Sequence, residues 1–286
     1  MKILVTGSNG QLGQELRQFS VKYPFHEFLF TDIAELNITD YTFVDQFIQK
    51  NKPEVIINCA GYTAVDKAET ETEFAMELNA KAVGHLAGNA AASGAIFIHI
   101  STDYVFNGAK STPYNEEDIP DPQSAYATTK YEGELETIRN ASRGLIIRTS
   151  WLYSEFMHNF VKTIIFKGVE RGMLNVVYDQ VGTPTYARDL AGTLMSIVPQ
   201  LDTLDKVDLY HYSNEGVASW YDFATAIVEY SGIRCRINPI LTAEYPLPAK
   251  RPFYSLMDKS KIKKKFGIEI PYWRNSLKEC IQKIKI

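Results

Sequence analysis

The chain lacks several features that large functional classes require. It holds three cysteines in 286 residues, Cys59, Cys235 and Cys280. Their wide separation makes neither a CxxC metal pair nor a disulfide framework, so thiol chemistry is not expected and a reducing compartment is. Long hydrophobic runs are also missing: Val55–Ile57 and Leu145–Ile147 fall far short of the roughly 18 apolar residues that span a bilayer. Met1 and Lys2 lead straight into Ile3-Leu4-Val5 and glycine, with no apolar leader or small-residue cleavage site, and the expectation is a cytoplasmic protein. Positive charge is not in excess, since 30 Lys and Arg face 34 Asp and Glu for a net charge of -4. A general positive field for nucleic acid is therefore absent, and the expected partner is a small molecule.

What is present is a soluble, core-forming balance, 45% hydrophobic against 22% charged. Lys2–Thr6 reads as a buried strand, and Leu12, Leu16 and Phe19 then fall at helical spacing. The alternation continues with Glu27–Thr31 as strand, Tyr41–Asn51 as helix, Val55–Cys59 as strand and a long helix near Phe74–Ser93. Ala95–Ser101, Ala127–Asn140 and Gly144–Arg148 add strand, helix and strand. Strands alternating with helices predict an α/β protein with a doubly wound parallel sheet. After Trp151 the rhythm weakens, yet Arg188–Val198 reads as a helix and Asp208–Asn214 as a strand, so the chain is expected to return to its first domain. That predicts a first domain of residues 1–152 and about 186–214, interleaved with a smaller substrate domain of about 153–185 and 215–286. The lysines from Lys259 to Lys265 surround Ile262 and Phe266, as on a solvated helix face beneath an apolar stripe.

Gly7-Ser8-Asn9-Gly10-Gln11-Leu12-Gly13 follows the first strand and opens the first helix. Such a turn brings backbone N–H groups and a helix N-terminus against a pyrophosphate, with Gly10 leaving room for it and Gly13 expected to let the helix pack closely on the sheet. Asp32 ends the second strand, about 20 residues on, where an acid binds the adenosine ribose hydroxyls. Its charge opposes a 2′-phosphate and no arginine follows nearby, so NADH is expected to bind better than NADPH. A helix cap or turn is the other role open to Asp32.

Tyr126 and Lys130 stand four residues apart, on one face of a helix. With 17 tyrosines such a pair arises by chance, but this one begins a helix after the strand ending at Ser101-Thr102. In a parallel sheet those strand ends line the ligand crevice. A nearby ammonium is expected to bring the phenol below its usual value near 10. Tyr126 could then give its proton to a carbonyl oxygen as hydride reaches carbon, with Thr102 bonded to the same oxygen and Lys130 also on the nicotinamide ribose.

These motifs, with Asn58 to Glu69, Ser101 to Phe106, Arg148 to Trp151, Asp179 to Thr185 and Arg251-Pro252, resemble the extended short-chain dehydrogenase/reductase family over nearly the whole chain. The resemblance implies a Rossmann-like fold and NAD(P)H-dependent reduction of the C4 ketone of dTDP-4-dehydro-β-L-rhamnose; no metal site is assigned from the sequence. It implies that Gly10, Gln11 and Leu12 touch the pyrophosphate, Asp32 the ribose, Asn37 and Ile38 the adenine region, and Gly61, Tyr62 and Thr63 the nicotinamide half. Thr102, Asp103 and Trp151 would meet the sugar nucleotide. Asn37 stands where many relatives carry aspartate. Dehydratases of the family tend to carry Asp-Glu after the threonine; here Asp103-Tyr104 lacks the base for elimination, which favours simple reduction. Lys162 and Arg251 are candidates for the substrate diphosphate, and Trp151 could offer a flat surface to sugar or thymine or belong to the core. Glu15 could sit at a homodimer contact or on a divalent ion. An NAD-retaining epimerase and a non-catalytic regulatory subunit, like the β subunit of methionine adenosyltransferase, are the rival readings.

Overall fold

The computed structural model describes residues 1–284. The chain begins with β1 (Lys2–Thr6), α1 (Gln11–Ser20), β2 (Glu27–Phe30), α2 (Tyr41–Asn51) and β3 (Val55–Asn58). Next come α3 (Thr72–Met76), a π-helical turn at Glu77–Lys81, α4 (Ala82–Ser93), β4 (Ile96–Thr102), α5 (Ala125–Asn140) and β5 (Gly144–Thr149). The helix expected near Phe74–Ser93 is thus broken in pitch by one wide turn, which periodicity alone does not reveal. The remaining elements are β6 (Leu152–Tyr153), α6 (Phe160–Arg171), β7 (Met173–Val177), β8 (Val181–Gly182), β9 (Thr185–Tyr186) and α7 (Ala187–Ile197). They are followed by β10 (Val207–His211), β11 (Ala218–Ser219), α8 (Trp220–Ser231), β12 (Arg236–Ile240), α9 (Ser260–Phe266) and α10 (Trp273–Lys283).

Six strands form one sheet in the order β10-β5-β4-β3-β1-β2, every pair parallel. The period-two alternation of buried strands divides the core. Ile3, Val5, Ile57, Ile98 and Ile147 face α1 and α7 on one side, while Leu4, Ile56 and Phe97 face α2 and α4 on the other. The chain moves outward from β1 to β2 and then returns to build from β3 the opposite way. A crevice therefore opens at the C-terminal ends of β1 and β3.

The smaller part has its own core, in which Tyr153, Ile165, Phe223, Trp273 and Leu277 are buried together. Its strands β7 and β12 pair parallel at some distance in sequence. Helix α9 packs differently from its neighbours in sequence: Ile262 and Phe266 join the core of the six-stranded sheet. Three of the five lysines around them are engaged. Lys259 and Lys263 pair with Glu215, and Lys261 with Asp208, at 3.5, 2.7 and 2.7 Å.

Candidate active site

The glycine loop lies at the crevice. Gly7 has φ +63°, and a Cβ there would stand 2.6 Å from the backbone of Ala60, beyond β3. A Cβ on Gly13 would come within 2.4 Å of Ser8 Cα, so this glycine lets α1 close on its own loop and not, as expected, on the sheet. Gly10 differs: its Cβ would meet only the Gly7 carbonyl oxygen, at 3.2 Å. Helix α1 starts at Gly10 with no side-chain cap and no acid in its first turn, which leaves donors and a positive dipole end for an anion. These features fit a dinucleotide, with Gln11 and Leu12 offering main-chain N–H groups; Gly10 leaves room, its own N–H being given to the Gly7 carbonyl at 3.0 Å. The side chains of Gln11 and Leu12 are otherwise occupied. Gln11 bonds to Leu152, Ser154 and Asn159, and Leu12 is in the core.

Asp32 fastens the loop from the second strand, its Oδ2 accepting the Asn9 N–H at 2.8 Å and its Oδ1 that of Ile33. The carboxylate is therefore both a turn former and a partly exposed acceptor at the crevice. Asn37 turns inward on Thr39, whose N–H and hydroxyl it accepts. Ile38 is 4% exposed and belongs to the core, so only its main chain could reach an adenine.

Ser124 caps α5 by accepting from Ala127 N, which sets Tyr126 in the first turn with Lys130 one turn deeper. Both are buried. The Lys130 ammonium donates to the Ile100 carbonyl at 2.6 Å, two residues before Thr102 on β4. Gly61 stands over the same ammonium: a Cβ there would be 3.8 Å from Nζ. Tyr62 and Thr63 follow it, Tyr62 partly exposed and Thr63 exposed. Thr102, Tyr126, Lys130 and the Gly61–Thr63 segment thus meet at the strand ends.

The expected lowering of the Tyr126 phenol is not what the structure gives. Burial pushes it up to about 12, with Asp103 adding to the rise, and only the Thr102 hydroxyl opposes. Tyr126 therefore holds its proton at neutral pH, the state a proton donor needs. Burial brings Lys130 down to about 8, and the Glu134 carboxylate works against that fall.

Asp103 is 1% exposed, and burial raises its carboxyl to about 7. One oxygen accepts the Thr102 hydroxyl at 3.2 Å; the other has no hydrogen-bond partner among the described residues. Beside it, Tyr104 meets Tyr126 edge to face, with ring centroids 5.9 Å apart. Tyr104 also borders a cavity of about 910 Å³ that runs between α6, α8 and the segment 244–253. Phe160, Trp220, Lys167, Arg171 and Arg251 line it.

The sequence candidates at this cavity are rearranged. Trp151, at φ +46°, stacks on Trp220 with centroids 3.7 Å apart, so the indole presented to the cavity is that of Trp220. Arg251 is held by Asp66 through two bonds of 3.0 and 2.8 Å, and Lys162 does not line the cavity. Glu15 is fully buried, 3.3 Å from Arg188, and burial raises it to about 8. A surface contact through its side chain is therefore ruled out, and no group of three potential ligands for a metal occurs among the described residues.

A model for the RmlD substrate binding domain matches residues 1–286. The chain belongs to that family. A dTDP-4-dehydrorhamnose reductase of Aggregatibacter actinomycetemcomitans is 41% identical, covering 97% of each chain. The crystal structure of a dTDP-4-dehydrorhamnose reductase from Clostridium acetobutylicum superposes with a TM-score of 0.94 at 42% identity, covering 99% of each chain. That of a dTDP-4-dehydrorhamnose reductase from Bacillus anthracis, in complex with NADP, does so at 0.93 and 35%, covering 98% of each.

Two features of this RmlD-family site were not evident from the sequence. Asn79, in the π-helical turn, is fully buried. Its side-chain oxygen accepts the Tyr62 N–H at 2.8 Å, and its amide donates to Tyr62 O and Thr129 Oγ1, each at 3.1 Å. It ties the Gly61–Thr63 segment to α5. Gly133 allows that approach, since a Cβ there would lie 2.1 Å from the Asn79 carbonyl oxygen. The second feature is the buried pair Glu134–Arg148 beneath Lys130, at 2.6 Å. An i, i+4 pattern pointed to Lys130, but nothing local marks its neighbours as buried charges.

Proposed function

We propose that the chain reduces the C4 ketone of dTDP-4-dehydro-β-L-rhamnose to dTDP-β-L-rhamnose, a precursor for surface polysaccharide. The observation that carries the reading is the meeting of a protonated, buried phenol, a threonine hydroxyl and a lysine ammonium at the strand ends beside an uncapped helix N-terminus. The names of the similar reductases supply the sugar nucleotide.

When bound, the reduced nicotinamide supplies the hydride. Tyr126 gives its proton to the C4 oxygen, and Thr102 donates a hydrogen bond to that oxygen as charge develops there. Lys130 stabilises the phenolate left behind and orients the nicotinamide ribose. The orphaned oxygen of Asp103 is suited to a sugar hydroxyl. Asp32, with no cation following it in sequence before Lys50, favours NADH over NADPH.

The test follows loss of reduced-nicotinamide absorbance with dTDP- and UDP-linked 4-ketosugars. One NADH consumed per product is the expected result. Product formed with no net NADH consumed would indicate an epimerase instead, and a protein inert to every 4-ketosugar would indicate a binding subunit.

A further inference from the structure

The segment that closes the cavity beside Trp220 is held by little of its own. Every residue from Glu244 to Arg251 lines that cavity, and residues 243–248 are exposed. Both ends of the segment are fastened to residues 179–181, where β7 turns into β8. The Thr242 N–H and hydroxyl donate to Asp179 at 2.9 and 2.7 Å, and Phe253 O accepts the Val181 N–H at 2.8 Å. Between these ends Pro246 and Pro248 have no N–H to give, and residues 246–251 make no backbone–backbone hydrogen bond among the described residues.

What holds the middle comes from the nicotinamide side of the crevice. Asp66 follows the Gly61–Thr63 segment and opens the single helical turn Lys67–Glu69. Its Oδ1 accepts the Ala249 N–H at 3.2 Å and Arg251 Nη1 at 3.0 Å, and its Oδ2 accepts Arg251 Nη2 at 2.8 Å. Arg251 Nη1 also donates to Ala249 O at 2.9 Å, so one carboxylate and one guanidinium grip Ala249 by both its main-chain groups. Ala249 is 3% exposed, unlike the residues before it. The turn that carries Asp66 is itself braced on α5: Ala68 is buried with Tyr126, and Glu69 accepts the Ala125 N–H at 2.8 Å.

The Arg251 guanidinium gives its Nη groups to Asp66 and Ala249, which suits a strut better than a phosphate ligand. Lys250 adds only an exposed bond to Gln123, at 3.0 Å. We infer that Asp66 is a positioning residue for the sugar nucleotide: through Arg251 and the Ala249 N–H it clamps the segment 244–251 to the Gly61–Thr63 side of the crevice and fixes that wall of the cavity relative to Tyr126. A wall already in place binds substrate without first being ordered, and it keeps the C4 oxygen within reach of the phenol. The inference rests on the reductase reading and deepens it by naming a residue outside the reacting groups that sets the affinity for substrate.

Kinetics of Asp66→Ala, Arg251→Ala and the double variant with a dTDP-linked 4-ketosugar test it. KM should rise at least about tenfold in either single variant, by more than kcat falls, and the double variant should stay within about twofold of the singles because both changes remove one strut. Arg251→Lys, which keeps the charge and one donor group, should recover part of the loss. Amide exchange of residues 247–251 should quicken in Asp66→Ala while the NADH dissociation constant stays within about twofold, so that release of the wall is read in a folded protein. Asp66→Asn keeps an acceptor for Ala249 and, should Asp66→Ala fail to fold, is expected to show a smaller rise in KM. Faster exchange with an unchanged KM would overturn the assignment. So would a loss in Arg251→Ala more than about tenfold beyond that in Asp66→Ala, which would make the guanidinium a direct ligand. A wild-type protein that binds NADH but no dTDP would instead sink the reductase reading, and this inference with it.

Discussion

Glu134 grips Arg148 inside the protein, accepting from Nε at 2.8 Å and from Nη2 at 2.6 Å. The Ser101 hydroxyl donates to the same carboxylate at 2.5 Å. Helix α5 is thereby tied to β4 and β5 one turn from Lys130. Glu134 is the main influence holding the lysine proton against burial; Cys59 acts in the same sense, and His99 is depressed by its burial and further by the same ammonium. The alkaline fall of kcat/KM is expected where Lys130 loses its proton, near pH 8. Glu134→Gln removes a neighbouring negative charge, so that fall should move to lower pH. It also leaves Arg148 buried without a counter-charge, at a stability cost of about 3–5 kcal/mol. A pH–rate profile that keeps its alkaline limb while stability falls would give Glu134 a purely structural part.

Tyr126→Phe deletes the proposed proton donor and little else. Turnover should fall by about 100-fold or more, while the NADH dissociation constant changes by less than about threefold. Single-turnover measurement of the chemical step checks this, and near-normal turnover would remove Tyr126 from the chemistry.

Asp103 links the site to stability. Its folded value, about 7, lies above that of an exposed aspartate, so the folded state binds its proton more tightly than the unfolded chain does. The stabilisation is complete below about pH 4 and is lost as pH rises through about 7. Asp103→Asn should flatten that segment of the stability curve by on the order of 2–4 kcal/mol. Urea titrations at pH 5 and 8 would show it; an unchanged difference between the two would contradict the burial argument.

Lys167 and Arg171 stand one turn apart on α6 and line the cavity beside Trp220. Lys167 has no ion-pair partner among the described residues, and Arg171 has only its neighbour Glu170, at 3.9 Å. Replacing both by alanine should raise KM for the dTDP-sugar at least about tenfold, with NADH affinity unaltered. Steady-state kinetics varying each substrate in turn separates the two effects. An unchanged sugar KM would leave these cations as surface charge.

The first half of the chain was legible because its signals are local. The bounds of β1 and α2 coincide with the expected Lys2–Thr6 and Tyr41–Asn51, and the return of a strand near Asp208 was visible as a last apolar run. The crevice followed from the glycine spacing and the strand-end rule, which brought Thr102, Tyr126 and Lys130 together. Asn79 escaped because a π turn looks like any helix in periodicity. Trp220, Lys167 and Arg171 escaped because they lie on α8 and α6, far apart in sequence, and the strands that flank these helices, β6, β8, β9 and β11, are two residues long and carry no period.

The placement of β10 has a consequence for how the molecule is made. Until residues 207–211 emerge from the ribosome, β5 presents a bare margin whose residues are all destined for the interior. A nascent chain with such a margin is open to pairing with its neighbours, and closing it requires a contact between segments far apart in sequence. Shielding of that margin during synthesis keeps the chain from such pairing until β10 is made.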